Sequence, residues 1–184
     1  MRVEIIEESG FDGAMLGLSL NKKQPVENML KLALKLGKAD GGHNKFLESI
    51  TVVLDITFPR FIWSEFDTYR IGVTKQSEST MHTLEKETLT QENFEYPILE
   101  AYLRYLNTLL SKNRQEIIVD KKTPFIAEFK NALPDGFLQR RIVTTNYKTL
   151  RNIIKQRQHH KLPQWKEFCD YLKENLRYAE YAGL

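Results

Sequence analysis

The sequence predicts a single α+β domain over residues 1–184, and three observations carry that reading. Ile50, Val52, Leu54, Ile56 and Phe58 fall on one side of an alternating stretch, with Thr51, Asp55 and Thr57 on the other. That period of two belongs to a half-buried strand. Apolar residues instead recur every three or four positions from Asn93 to Asn113 and from Pro163 to Leu176, the spacing of amphipathic helices. No internal repeat or low-complexity linker divides the chain, and 184 residues suffice for one core.

Taken in order, residues 3–6 read as a short strand. Pro25 opens a helix, since its missing N–H costs nothing at the first helical position. Val26, Met29, Leu30, Ala33 and Leu34 follow helical spacing, Gly37 suits the stop, and Gly41-Gly42 is a turn. Pro59 ends the alternating strand and helps start a short helix from Phe61 to Tyr69. Gly72 to Thr83, rich in Ser, Thr, Lys and Gln, reads as a loop. In the long helix Phe94, Ile98, Tyr102, Tyr105, Leu106 and Leu109 are expected to face inward. Thr123-Pro124 starts another short helix, Leu133 to Gly136 is a turn, and Leu138 to Thr144 is a second strand. Thr145 is placed as the cap of a helix running to about Arg157. Pro163 opens the last helix, whose buried stripe is Trp165, Phe168, Cys169, Leu172 and Leu176.

Composition narrows the classes. Hydrophobic residues make up 41% of the chain, ordinary for a globular protein. No run is long and apolar enough for a membrane span, and the acidic start from Met1 to Glu8 does not resemble a signal peptide. One cysteine, Cys169, excludes an internal disulfide and fits a reducing, cytoplasmic setting. The net charge of +3 does not announce a nucleic-acid binder. Between residues 140 and 161, however, Arg140, Arg141, Lys148, Arg151, Lys155, Arg157 and Lys161 occur with no acid among them. Such a stretch suits a phosphate-bearing ligand or is simply a solvated helix face.

Several chemistries find no residues. His43, His82, His159 and His160 have no metal-ligand spacing, so no metal is expected. Cys169 lies on an apolar stripe, where a small inert hydrophobe belongs. The chain has no Gly-x-Ser-x-Gly elbow and no glycine-rich phosphate cradle. Polar residues at element ends remain: His43 and Glu48 before the long strand, Tyr69 and Arg70 after the helix that follows it, and Asn146, Lys148, Asn152 and Arg157 along one helix. Asparagine offers a donor and an acceptor, which suits a pyrimidine or flavin edge, and arginine offers a fork for phosphate or carbonyl. Capping and solvent exposure account for each of them taken singly.

Their order along the chain adds a resemblance. Gly42-His43, Phe46 and Glu48, then the strand, Pro59, Trp63 and Tyr69-Arg70 resemble the first half of the flavin-dependent thymidylate synthases (the thymidylate synthase-complementing, or ThyX, family). Leu133-Pro134, Asn146-Tyr147-Lys148-Thr149-Leu150, Arg157 and Pro163-Gln164-Trp165 are similar to that family's later motifs. The family signature, Arg-His-Arg-x-x-Ser-x-Asn-Glu-x-Ser-x-Arg-Tyr, falls on Thr68-Tyr69-Arg70 and beyond. Here Thr68, Tyr69, Val73, Lys75 and Gln76 replace its Arg, His, Ser, Asn and Glu, and Ser79-Thr80-Met81-His82 stands at its end. Glu65 occupies the place of a family Gln.

The resemblance implies an antiparallel sheet flanked by helices in one ThyX-like domain. It implies C5 methylation, or another C5 modification, of a deoxyuridine nucleotide, with methylenetetrahydrofolate as carbon source, FAD as cofactor and NADPH as reductant. His43, Glu48, Tyr69, Arg70, Asn146, Lys148 and Asn152 would bind the flavin. Glu65, Gln76, Ser79, Lys130 and Arg157 would bind the nucleotide, Arg157 also acting on the uracil. Lys75, Lys130, Lys148 and Arg157 would rebuild a phosphate site. Family members are homotetramers. Two other readings stay open at this point. One is a ThyX fold that has lost catalysis and binds a protein or nucleic acid; the other is an unrelated α+β domain.

Overall fold

The computed structural model describes residues 1–79, 88–117 and 125–184. Thr80, Met81 and His82 at the end of the signature, and the helix start expected at Thr123-Pro124, lie outside them. Four strands form an antiparallel sheet in the order β1-β2-β4-β3: β1 Arg2–Ser9, β2 Thr51–Pro59, β3 Thr74–Ser77 and β4 Leu138–Asn146. The helices are α1 Phe11–Lys22, α2 Met29–Gly37, α3 Arg60–Phe66, α4 Glu100–Ile117, α5 Phe125–Ala132, α6 Tyr147–Arg157, α7 Pro163–Asn175 and α8 Ala179–Ala182.

Contacts divide the chain into two compact units. The first comprises Met1, Thr57–Phe66 and Ser77–Arg141. Its core gathers Leu89, Phe94, Leu103, Leu106, Leu109, Leu110, Phe129, Leu133 and Phe137, with α4 packed on α5. Beside it the rings of Phe58, Trp63 and Phe66 stack at centroid separations of 5.2 to 6.3 Å. Trp63 Nε1 donates to the carbonyl of Gln139 at 2.8 Å, and the Arg141 guanidinium lies 4.3 Å from the Trp63 ring centroid. This satisfies the one polar atom of an otherwise buried indole.

The second unit comprises Arg2–Ile56, Asp67–Gln76 and Ile142–Leu184. Ile50, Val52, Leu54 and Ile56 are fully buried, as are Leu150, Ile153, Trp165, Phe168 and Leu172. Gly37 has a packing role beyond ending α2. A Cβ there would come within 1.6 Å of the Tyr181 carbonyl oxygen, so only glycine lets α2 lie against α8.

Several expectations are corrected. The helix from Phe11 to Lys22 was not anticipated, because Gly13 and Gly17 interrupt it and exposed Leu16 and Leu20 blur its apolar face. The stretch read as loop carries the short polar strand β3. Asp55, placed on the solvent side of β2, is only 5% exposed, so that face of the strand is covered too. Tyr105, expected inside, is 44% exposed, and Phe94 precedes the long helix, which begins at Glu100. The helix after β2 ends at Phe66, three residues early. The cap of α6 is Asn146, whose Oδ1 accepts from the Thr149 N–H at 2.9 Å; Thr145 instead donates its hydroxyl to the Gly72 carbonyl at 2.8 Å.

Candidate active site

The α6 N-terminus organises a cavity of the second unit. Asn146 ends β4 in an extended conformation and caps α6, and the loop after α3 lies across this cap. Gly72 has φ +70°, and a Cβ on it would sit 2.6 Å from Thr149 Oγ1 and 2.8 Å from Asn146 Nδ2. Glycine therefore permits both the left-handed turn and the close approach. The result is a cavity of about 880 Å³ lined by Glu48, Tyr69, Arg70, Asn146, Lys148 and Asn152, together with Thr68, Ile71, Gly72, Thr149 and Gln156.

Six of the seven residues expected on the flavin side thus meet in one place, drawn from three separate stretches of sequence. The seventh does not join them. His43 is exposed and lines another cavity of about 470 Å³, walled by Gly17, Leu32, Leu36 and Phe46. Arg157 closes α6 and packs beside Tyr69 and Trp165. Gln76 lies exposed on β3. Glu65 on α3, Ser79 and Lys130 on α5 belong to the first unit, and Ser79 and Lys130 are exposed.

Charge in this cavity is partly neutralised from within. Lys148 Nζ bonds to Glu48 Oε1, and that hydrogen bond holds the Glu48 carboxyl below its ordinary range. Lys75 pairs with Asp67 at 2.9 Å. Two of the lysines expected to rebuild a phosphate site therefore already carry carboxylate partners. Arg70 is exposed and makes no ion pair among the described residues.

Away from the cavity, Arg151 is only 2% exposed and donates to Ala182 O, Asp40 Oδ1 and Lys38 O at 2.8 to 3.0 Å. It is a structural arginine that the sequence presented as one more member of a basic stretch. Cys169 is fully buried, and burial pushes its thiol up to about 11, consistent with an inert core position. Gly72, Ile71 and Gln156 have no assigned role in the sequence reading, and Thr149 appears there only inside the Asn146–Leu150 motif. Only Gly72 carried a signal, as the one glycine between α3 and β3. Among the described residues no group of His, Cys, Asp and Glu is arranged to hold a metal ion, and no helix is long and apolar enough to cross a membrane.

The family model described as "Thymidylate synthase complementing protein" matches residues 11–178. The chain belongs to this family. No curated protein sequence matches it. Two solved structures share the ThyX fold, both of the flavin-dependent thymidylate synthase ThyX from Helicobacter pylori with FAD and dUMP. Each superposes with a TM-score of 0.74, over 99% of this chain and 97% of the other, at 16% and 17% identity. The antiparallel sheet with flanking helices is thus the ThyX architecture, as the motif order implied.

Proposed function

We propose that this ThyX-family chain is a flavin-dependent, thymidylate synthase-like enzyme that modifies C5 of a deoxyuridine nucleotide. The observation that carries this reading is the convergence of Glu48, Tyr69, Arg70, Asn146, Lys148 and Asn152 on one cavity. Its volume is in the range of small-molecule sites. The donor set fits a flavin nucleotide. Arg70 supplies a cation with no ion pair among the described residues, the α6 N-terminus a partial positive charge, and Asn152 and Gln156 carboxamides for a polar ring edge.

When bound, FAD reduced by NADPH would supply hydride, and methylenetetrahydrofolate the carbon. The protein's part is to bind and orient. Arg70 draws the anionic portion, Asn146 turns its amide nitrogen toward the cavity wall at Gly72, and the Glu48–Lys148 pair fixes the lysine at the rim. Arg157 offers a charged donor for a pyrimidine carbonyl. The assembly that accompanies this reading is a homotetramer.

The test is the visible absorption spectrum of the purified protein with and without added FAD. Flavin bands should survive gel filtration, and Arg70→Ala should weaken FAD binding about tenfold, the loss of one charge-assisted hydrogen bond. A protein that stays colourless in excess FAD would overturn the proposal. The pairing of Lys75 with Asp67 and of Lys148 with Glu48 leaves less charge for a phosphate, which the second reading, a fold that has lost catalysis, accommodates. A nucleic-acid partner would show affinity falling steeply with salt, and a flat response removes it.

A further inference from the structure

We propose that Tyr69 is a positioning residue for Arg157, holding its guanidinium in one orientation together with Gln156 and Trp165. Tyr69 stands where the family signature has histidine, so this device belongs to the present chain. Arg157 Nε donates to the Tyr69 hydroxyl at 2.8 Å, and that hydroxyl donates to Gln156 Oε1 at 3.0 Å. A phenol has one proton to give. With the proton directed at Gln156, the oxygen lone pair faces Arg157.

The guanidinium lies 4.7 Å from the Trp165 ring centroid and 5.7 Å from that of Tyr69. The two rings meet edge to face, 6.2 Å apart at 71°. A planar cation stacks well on such rings, and Trp165 is fully buried and cannot give way. Arg157 is thus fixed by a stacking surface and a directional hydrogen bond. Tyr69 and Gln156 line the cavity, and Arg157 adjoins them through its bond to the Tyr69 hydroxyl. The Tyr69 hydroxyl is engaged by Arg157 and Gln156, while its ring remains part of the cavity wall that Tyr69→Phe preserves.

The consequence for the substrate rests on the flavin-enzyme reading: a pre-oriented Arg157 serves nucleotide affinity, not FAD affinity. The experiment has two arms so that the readings separate. In the ligand-free protein, phenylglyoxal labelling of Arg157 is followed by peptide mass spectrometry, with exposed Arg70 as internal reference. Tyr69→Phe keeps the ring and loses the bond, and should raise the Arg157 rate about fivefold or more, as should Gln156→Leu to a smaller extent. In the FAD-loaded protein, dUMP is titrated by the flavin difference spectrum. Tyr69→Phe should weaken dUMP binding about tenfold and leave FAD binding within about twofold. An unchanged labelling rate overturns the positioning role, and so does a loss confined to FAD affinity. A wild-type protein that binds neither ligand would sink the flavin reading, while the labelling arm still decides the role of Tyr69.

Discussion

A methyl group at position 72 would collide with the two groups that build the cavity wall, Thr149 Oγ1 and Asn146 Nδ2. The left-handed φ of +70° adds its own penalty for a residue with a Cβ. Gly72→Ala should therefore lower stability by about 1–3 kcal/mol and weaken ligand binding at the same cavity, as read by calorimetry and an FAD titration. Cys169 marks the opposite case, in which the sequence was enough. Its place on the stripe of Trp165, Phe168 and Leu172 predicted burial, and it is fully buried with a raised thiol pKa. Ellman's reagent at pH 8 should leave the native thiol unmodified and titrate it fully in denaturant; rapid native reaction would contradict the packing. Arg151 could not be read this way, because its partners are two backbone carbonyls and Asp40, all distant in sequence.

Helix α6 shows how one element serves both fold and site. Asn146 uses Oδ1 to cap the helix, while its amide nitrogen faces Gly72 at the cavity wall. The two functions separate by substitution. Asn146→Ala loses the cap and should cost about 1 kcal/mol. Asn146→Asp keeps an acceptor and adds a charge that the helix N-terminus favours, so stability should hold within about 0.5 kcal/mol. Only the donor disappears, and FAD affinity should fall regardless. Paired thermal melts and flavin titrations check this; loss of stability in both variants would mean the amide nitrogen matters to the fold. Elements with a strong period, β2, α2 and α7, were legible from spacing, and α6 from an expected cap beside its start. The α1 helix was not, since Gly13 and Gly17 dilute its pattern, nor was β3, four polar residues at a sheet edge whose pairing is non-local.

At the scale of the whole molecule, the basic stretch dissolves into separate jobs. Arg141 covers Trp63, Lys148 pairs with Glu48, Arg151 and Lys155 share Asp40, and Arg157 stacks on Trp165. Linear sequence displays the charges but not the carboxylates that meet them, so it left a phosphate-binding field and a solvated helix face both open, while the order of weak motifs pointed to the ThyX fold. Those pairings make folding depend on acid. The hydrogen bond from Arg151, then that from Lys155, holds the Asp40 carboxyl below its ordinary 3.8, and Lys148 does the same for Glu48 below 4.5. A native carboxyl with a lowered pKa binds its proton later than the unfolded chain does. The stability from both pairs is thus fully present above the ordinary values and is lost as pH falls through the lowered native ones. Both carboxylates are exposed, so each contribution is modest and weakened by salt. Calorimetric melts should show a flat melting temperature from pH 7 to about 5 and a decline below. Asp40→Asn should start lower at pH 7, decline less steeply, and approach the wild type in acid, because protonation removes from the wild type what the substitution has already removed. A variant with the wild-type slope would show that Asp40 does not contribute to the acid response.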